Sequence, residues 1–275
     1  MNLIKNFICL SILTLIITCS STEKPTTTNM TRVNFIGDSW LSYPVSKDLT
    51  DELVNLFPKN DKILVENLAK AGRKIDQQLV LVPNTKPDIF IVSIGGNDIY
   101  DWNHLIKVGA ESDITKREQK IDENVKLVKT KWMKLIQEIR SKSKTNTLIL
   151  TMGYDYPNLG GDTSNCPILQ KLFAECKHIS KPLNTRATKK LTQEEIRKVG
   201  NDIMDKFNQS MNEISTNKEY KNNLIYIDLR KSLTDKDFLD EIHPSQAGFQ
   251  ILATKFLKKV CENKNNSELA ICEGK

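Results

Sequence analysis

Ser39 near the start of this chain and the close pair Asp240 and His243 near its end have the types and spacing needed for acyl transfer. Ser39 ends the stretch Val33-Asn34-Phe35-Ile36-Gly37-Asp38-Ser39-Trp40, a strand-like run that breaks into a glycine, an acid and a hydroxyl. A hydroxyl at its ordinary pKa is a weak nucleophile. It needs a base, a group that orients the base, and donors for the charge that develops on the carbonyl oxygen under attack. Phe238-Leu239-Asp240-Glu241-Ile242-His243-Pro244 offers an acid three residues before one of only three histidines. Ile91-Val92-Ser93-Ile94-Gly95-Gly96-Asn97-Asp98 is a second apolar run, ending in glycines and a side-chain amide that can donate to an oxyanion.

Each block alone has a plainer reading. Gly-Asp-Ser is a common turn in which Asp38 bonds backbone. Gly-Gly-Asn-Asp can be a loop with left-handed positions, and Asp-x-x-His before a proline can be a helix cap beside a surface histidine. Their coincidence in order, each at a predicted strand end or helix start, points instead to one site. Among competitors, Glu241 has a poorer offset from His243. His104 and His178 lack an acid at useful spacing and read as surface or loop residues, while Asp98 reads as a structural partner of the rim. Trp40, Tyr43, Tyr100, Trp102, Tyr154 and Tyr156 cluster around these blocks. Trp40, Tyr100 and Tyr154 are the expected substrate-binding residues.

The elements that must position these groups follow from hydrophobic periodicity. Strands are predicted at Val33 to Ile36, Lys62 to Asn67, Ile89 to Ile94, Thr147 to Met152 and Asn223 to Leu229. The third is continuously apolar, as a strand buried on both faces should be. Helices are predicted around Leu49 to Phe57 and Ile75 to Val82. From Thr115 to about Lys144 a longer one carries the inward stripe Ile121, Val125, Val128, Trp132, Leu135, Ile136 and Ile139. Trp132 on that stripe reads as core. Another helix starts after Leu191, with Thr192 as cap and Glu195 at the capping-box position; the last covers Pro244 to Cys261. Short buried strands alternating with amphipathic helices predict an α/β, three-layer, mostly parallel five-stranded sheet of flavodoxin-like type, with the chemistry at the carboxyl ends of the strands. Residues 153–190 lack periodicity and read as an ordered functional insertion.

The chain has 275 residues, 39% hydrophobic and 27% charged, with 40 basic against 34 acidic side chains and a formal charge of +6. These values fit a globular domain, and the lysines are spread over helix faces rather than gathered with aromatics, which argues against nucleic-acid binding. The sequence expects a monomer. Lys5 and the apolar run Phe7 to Thr18 have the form of a signal peptide, too short to span a bilayer. The run ends at Cys19 and a polar stretch, an arrangement similar to a bacterial lipoprotein signal, which implies lipidation at Cys19 and a tether over 19–30; a plainly cleaved secretory peptide is the alternative. The main domain would run over 31–262, with a C-terminal tail at 263–275. Cys166, Cys176, Cys261 and Cys272 are an even set in an exported chain. Proximity favours pairing Cys166 with Cys176 and Cys261 with Cys272, each worth roughly 2–3 kcal/mol, although all three pairings stay open. A zinc site among these cysteines, with His178 near Cys176, is the competing reading, which no close-spaced cysteine pair supports.

Gly37-Asp38-Ser39, Gly72 after the second strand, Gly95-Gly96-Asn97-Asp98 after the third, and Asp240-x-x-His243 resemble the four ordered blocks of the SGNH hydrolase (GDSL-type esterase) family. The resemblance covers roughly Thr31 to Val260. It implies a serine esterase in which Ser39 is the nucleophile, His243 the base and Asp240 its orienter. The oxyanion hole it implies is built from Ser39 N–H, Gly72 N–H and the Asn97 amide. No cofactor or metal is needed for that chemistry. Small acyl esters, lipid esters and glycan O-acetyl esters are all possible substrates; carbohydrate O-acyl transfer and non-catalytic glycan or partner binding are the alternatives.

Overall fold

The computed structural model describes residues 30–59, 62–159, 166, 176–220, 223–263, 266 and 268–274. The leader, the lipidation position Cys19 and nearly all of the tether lie outside the described residues, as does most of 160–175. Five strands, β1 (Thr31–Gly37), β2 (Ile63–Asn67), β3 (Ile89–Ser93), β4 (Leu148–Met152) and β5 (Leu224–Ile227), form a single sheet in the order β2-β1-β3-β4-β5. Every adjacent pair is parallel, with Val33 beside Val65 and Ile89, and Ile149 beside Leu224. The predicted strands differ from these by at most two residues at either end, and the strand order is that of doubly wound flavodoxin-like sheets.

The helices are α1 (Leu49–Leu56), α2 (Ile75–Leu79), α3 (Gly96–Ile99), α4 (Trp102–Gly109), α5 (Ile114–Ser141), α6 (Ser180–Thr185), α7 (Gln193–Thr216) and α8 (Gln246–Glu262). They cover both sides of the sheet, with α1 against α8, and α5 against α2 and α7. All five residues of β3 are buried. The buried residues of α5 are the seven of the predicted stripe, and Trp132 is core, its Nε1–H donating to Ile94 O at 2.9 Å. Burying each large stripe residue contributes on the order of 1.5–3 kcal/mol. The Thr192–Glu195 capping box starts α7 as expected.

Three helices, α3, α4 and α6, were not predicted. Asp101 caps α4 by accepting from His104 N–H at 3.1 Å. The C-terminal end of α4 presses on α6 so closely that a Cβ on Gly109 would lie 1.8 Å from Leu183 O. Cys166 is bonded to Cys176 and Cys261 to Cys272, the pairing favoured by proximity. Cys176 is therefore committed to a disulfide and the zinc reading that used it fails. The C-terminal segment packs on the core through Ile271, which is fully buried, and a short turn at Ala270–Cys272. Among the described residues no helix is long and apolar enough to cross a membrane.

Candidate active site

Ser39 sits immediately beyond the carboxyl end of β1, at the rim that parallel sheets use for ligands. Gly37 makes that placement possible, because a Cβ there would lie 2.2 Å from Ser93 O of the neighbouring strand. Asp38 N–H donates to the same Ser93 oxygen at 3.1 Å, and Leu41 N–H closes the turn onto Asp38 O at 3.1 Å. Ser39 is thus lifted off a rigid strand end, with its side chain toward the turn that precedes α8.

That turn carries Asp240 and His243, the expected acid and base. Ser39 Oγ lies 2.9 Å from His243 Nε2, and His243 Nδ1 lies 2.7 Å from Asp240 Oδ2. Asp240 Oδ1 also accepts from Ile242 N–H at 2.8 Å and His243 N–H at 2.7 Å, so the backbone of the turn itself fixes the carboxylate. The three-residue offset works because acid and base share one turn, closed by Leu239 N–H on His243 O and by the bridge between Phe238 and Pro244. Tyr43 stacks on the His243 ring with centroids 4.7 Å apart. Asp240 is fully buried. Burial pushes its carboxyl up, but the charges of His243 and His178 and their hydrogen bonds outweigh burial and hold it well below the ordinary carboxylate range.

His178 corrects the sequence reading. Far from being a detached loop residue, it places Nε2 3.4 Å from Asp240 Oδ2 and meets the His243 ring edge-on at 5.4 Å. Glu241 explains how it gets there. Its carboxylate accepts from Ile179 N–H at 2.6 Å and Ser180 N–H at 3.1 Å, and also from the Ser180 hydroxyl; its own N–H donates to Cys176 O at 3.3 Å. Glu241 therefore clamps the disulfide-bearing segment against the turn rather than orienting His243. No local sequence signal could have found His178, because its acid lies 62 residues away along the chain. Among the described residues, ligand atoms of His178, Asp240 and His243 are the group that gathers closely enough to hold a metal ion, all within 4.8 Å. An ion there would compete with His243 Nδ1 for Asp240 Oδ2.

The amide predicted to face the oxyanion stands at the same rim. Gly95 turns β3 into α3 with φ of +115°, a conformation that favours glycine. Asn97 follows, its Nδ2 donating to Arg73 O at 3.2 Å, and it lines one cleft with Ser39. Gly72 lies in the loop between β2 and α2 with φ of +75°, exposed and outside the lining of that cleft. Its neighbour Arg73 is what ties the loop to Asn97. Asp98 is the expected structural partner, accepting from Ile75 N–H at 2.9 Å and pairing with Lys131 at 3.0 Å.

All three predicted substrate-binding aromatics line the cleft, together with Pro157, Met204 and Ile242, which sequence reasoning did not single out. Trp102 instead lies 43% exposed with Lys181 Nζ above its ring. Asp155, also in the lining, accepts from the N–H groups of Lys231, Ser232 and Leu233 and so fixes the loop after β5.

Asp38 does more than bond backbone. Its Oδ2 accepts from Tyr154 O–H at 2.5 Å, and Tyr154 Oη accepts from Gly96 N–H at 3.0 Å, which ties the ends of β1, β3 and β4 together. Burial pushes the Asp38 carboxyl up to about 7 from 3.8, against the lowering effect of Tyr154 and the Trp40 N–H. The folded protein therefore keeps this proton to higher pH than the unfolded chain does. The resulting stability is complete below about pH 4 and is lost as pH rises through 7, about 4 kcal/mol at 1.36 kcal/mol per unit. Asp38→Asn, which cannot titrate, should show a correspondingly weaker loss between pH 4 and 8 in denaturant melts. Equal losses in the two proteins would contradict this assignment.

Residues 35–251 match the model of the GDSL-like lipase/acylhydrolase family. Solved structures with the same fold include the extracellular lipase of Streptomyces rimosus, with a TM-score of 0.56 at 14% identity over 83% of this chain and 99% of that one. Phospholipase A1 of Streptomyces albidoflavus NA297 gives 0.55 at 13% over 84% and 99%. The lipase Lip_vut3 from a goat rumen metagenome gives 0.55 at 13% over 82% and 95%. At these identities the likeness is one of fold. No curated protein matches the chain significantly.

Proposed function

Because this chain belongs to the GDSL-like lipase/acylhydrolase family and is a carboxylic ester hydrolase, we propose that it works through an acyl-enzyme formed on Ser39. The observation that carries this reading is the unbroken chain from Ser39 Oγ to His243 Nε2 at 2.9 Å and from His243 Nδ1 to Asp240 Oδ2 at 2.7 Å. With Nδ1 protonated toward Asp240, Nε2 is free to accept the Ser39 proton as Oγ attacks the ester carbonyl. The tetrahedral oxyanion is stabilised by the Asn97 amide and, by family resemblance, by the N–H groups of Ser39 and Gly72. Collapse breaks the bond to the alcohol, which leaves with the proton held on His243. Water then repeats the sequence on the acyl-enzyme, giving the free acid and the original serine. Buried Asp240 keeps the imidazole in the required tautomer and balances its charge in the transition state.

The purified chain should hydrolyse p-nitrophenyl acetate and take a small-alkyl fluorophosphonate on Ser39. A folded protein that does neither would be a glycan- or partner-binding relative of these enzymes instead. Asn97→Ala tests the oxyanion role separately: removing one such donor costs about 10²–10³ in kcat, with little change in KM, and an unchanged kcat would take Asn97 out of the machinery. Two disulfides support an exported protein, since such bonds persist in oxidising compartments.

A further inference from the structure

Beside the turn of Asp240 and His243 stands a third side chain, His178, that the mechanism above does not use. We propose that His178, Asp240 and His243 form a zinc site, and that an ion bound there silences the enzyme; the silencing, though not the binding, rests on the acyl-enzyme reading above. One ligand atom from each of the three lies within 4.8 Å of the others. Two imidazoles and a carboxylate are donors that suit Zn²⁺ and leave one coordination position for water. Around a tetrahedral zinc with bonds of about 2.0–2.1 Å, neighbouring ligand atoms stand about 3.4 Å apart. His178 Nε2 and Asp240 Oδ2 already have that spacing, at 3.4 Å. It is long for an N–H···O hydrogen bond. His178 Nε2 is nevertheless shielded from solvent, and among the described residues it finds no better partner.

The surroundings hold these donors in place. Asp240 Oδ1 is taken by the N–H groups of Ile242 and His243, which leaves Oδ2 as the oxygen facing both imidazoles. His178 is delivered by Cys176, bonded to Cys166, and by Glu241, which accepts from Ile179 N–H and Ser180 N–H. Its side chain is 30% exposed beside a carboxylate that is fully buried, so an ion has a way in from solvent. His243 must move the most: its Nδ1 stands 2.7 Å from Oδ2 and has to open by about 0.7 Å to reach the tetrahedral spacing. That movement has a chemical consequence. A neutral imidazole bound to metal through Nδ1 keeps its single hydrogen on Nε2. The nitrogen that must accept the Ser39 proton then already carries one, and attack on the ester is blocked.

The test uses the purified chain without a histidine tag, freed of metal with a chelator. Two quantities are followed at the same free zinc: metal bound per chain at equilibrium, and hydrolysis of p-nitrophenyl acetate. Wild type should bind zinc, lose hydrolysis in proportion as the site fills, and regain it with chelator. His178→Ala, scaled to its own metal-free rate, should need at least about ten- to a hundredfold more zinc for both effects, the loss that even an outer partner of a ligand causes. Mg²⁺, which prefers oxygen donors, should leave both quantities unchanged. If His178→Ala does not fold, His178→Gln removes the same imidazole with a polar side chain in its place. Equal zinc sensitivity in wild type and a folded His178 variant would overturn the site, as would inhibition by Mg²⁺ at the same concentrations. Zinc that binds through His178 yet leaves hydrolysis intact would overturn the silencing. Failure of the acyl-enzyme reading looks different: metal-free wild type would neither hydrolyse the ester nor take a fluorophosphonate, while zinc binding and its loss in the His178 variant would still report on the site.

Discussion

Ser39→Ala is expected to lower kcat by about 10⁵–10⁶, and His243→Ala by a similar factor, with the double variant no slower than either single one. The reason is that a hydroxyl and an imidazole 2.9 Å apart act as one unit. Without the base the hydroxyl stays protonated and inert, and without the hydroxyl the base has nothing to activate, so the second deletion removes an interaction already lost. Residual turnover would come from binding and oxyanion stabilisation alone. Neither substitution should unfold the protein. Ser39→Ala removes one oxygen at a position that is 9% exposed, and His243→Ala leaves the turn closed by its backbone bonds. Steady-state kinetics on p-nitrophenyl acetate with thermal melts of all three variants would check this. Additive losses, or a Ser39→Ala protein retaining a tenth of its activity, would place the nucleophile elsewhere.

Asp240→Asn is expected to cost about 10⁴ in kcat with KM little changed. The asparagine oxygen can still accept the Ile242 and His243 backbone N–H groups now taken by Oδ1. Its amide would then face His243 Nδ1 with a donor where an acceptor is required, forcing the tautomer whose Nε2 carries the proton and cannot take another from Ser39. A stability effect runs in parallel. Because the carboxyl is held well below its ordinary range, its stabilisation of the fold is present above the unfolded pKa of 3.8 and is lost as pH falls through the folded value. The variant should therefore melt at lower temperature than wild type at pH 7, with the gap narrowing as the solution is acidified. Full activity in Asp240→Asn would show that the base needs no orienter, or that His178 or another neighbour supplies one.

What sequence reading recovered is what periodicity and short-range chemistry encode. The uninterrupted apolar run of β3 and the stripe of α5 leave few alternatives, since a strand buried on both faces and a long amphipathic helix have patterns that nothing else shares. The acid and base were legible because three residues on one turn hold them. Helix α4 was missed although Asp101 caps it, because only two large apolar side chains, Leu105 and Val108, mark its buried face. Helix α6 starts where Glu241 catches two backbone N–H groups from another part of the chain, an event with no local signature. The same holds for His178 and Met204: each enters the site through packing between elements that are remote in sequence. Gly72 shows the converse, a position whose left-handed backbone is plain in the structure but whose side of the rim lies outside the cleft lining.

The proposed nucleophile and its base are 204 residues apart, one at the end of the first strand and the other just before the final helix. An unfinished chain therefore owns a serine with nothing to activate it, and a product truncated after β5 would be permanently silent. In the proposed mechanism ester cleavage therefore waits until the turn that carries His243 has been made and lies against the end of β1.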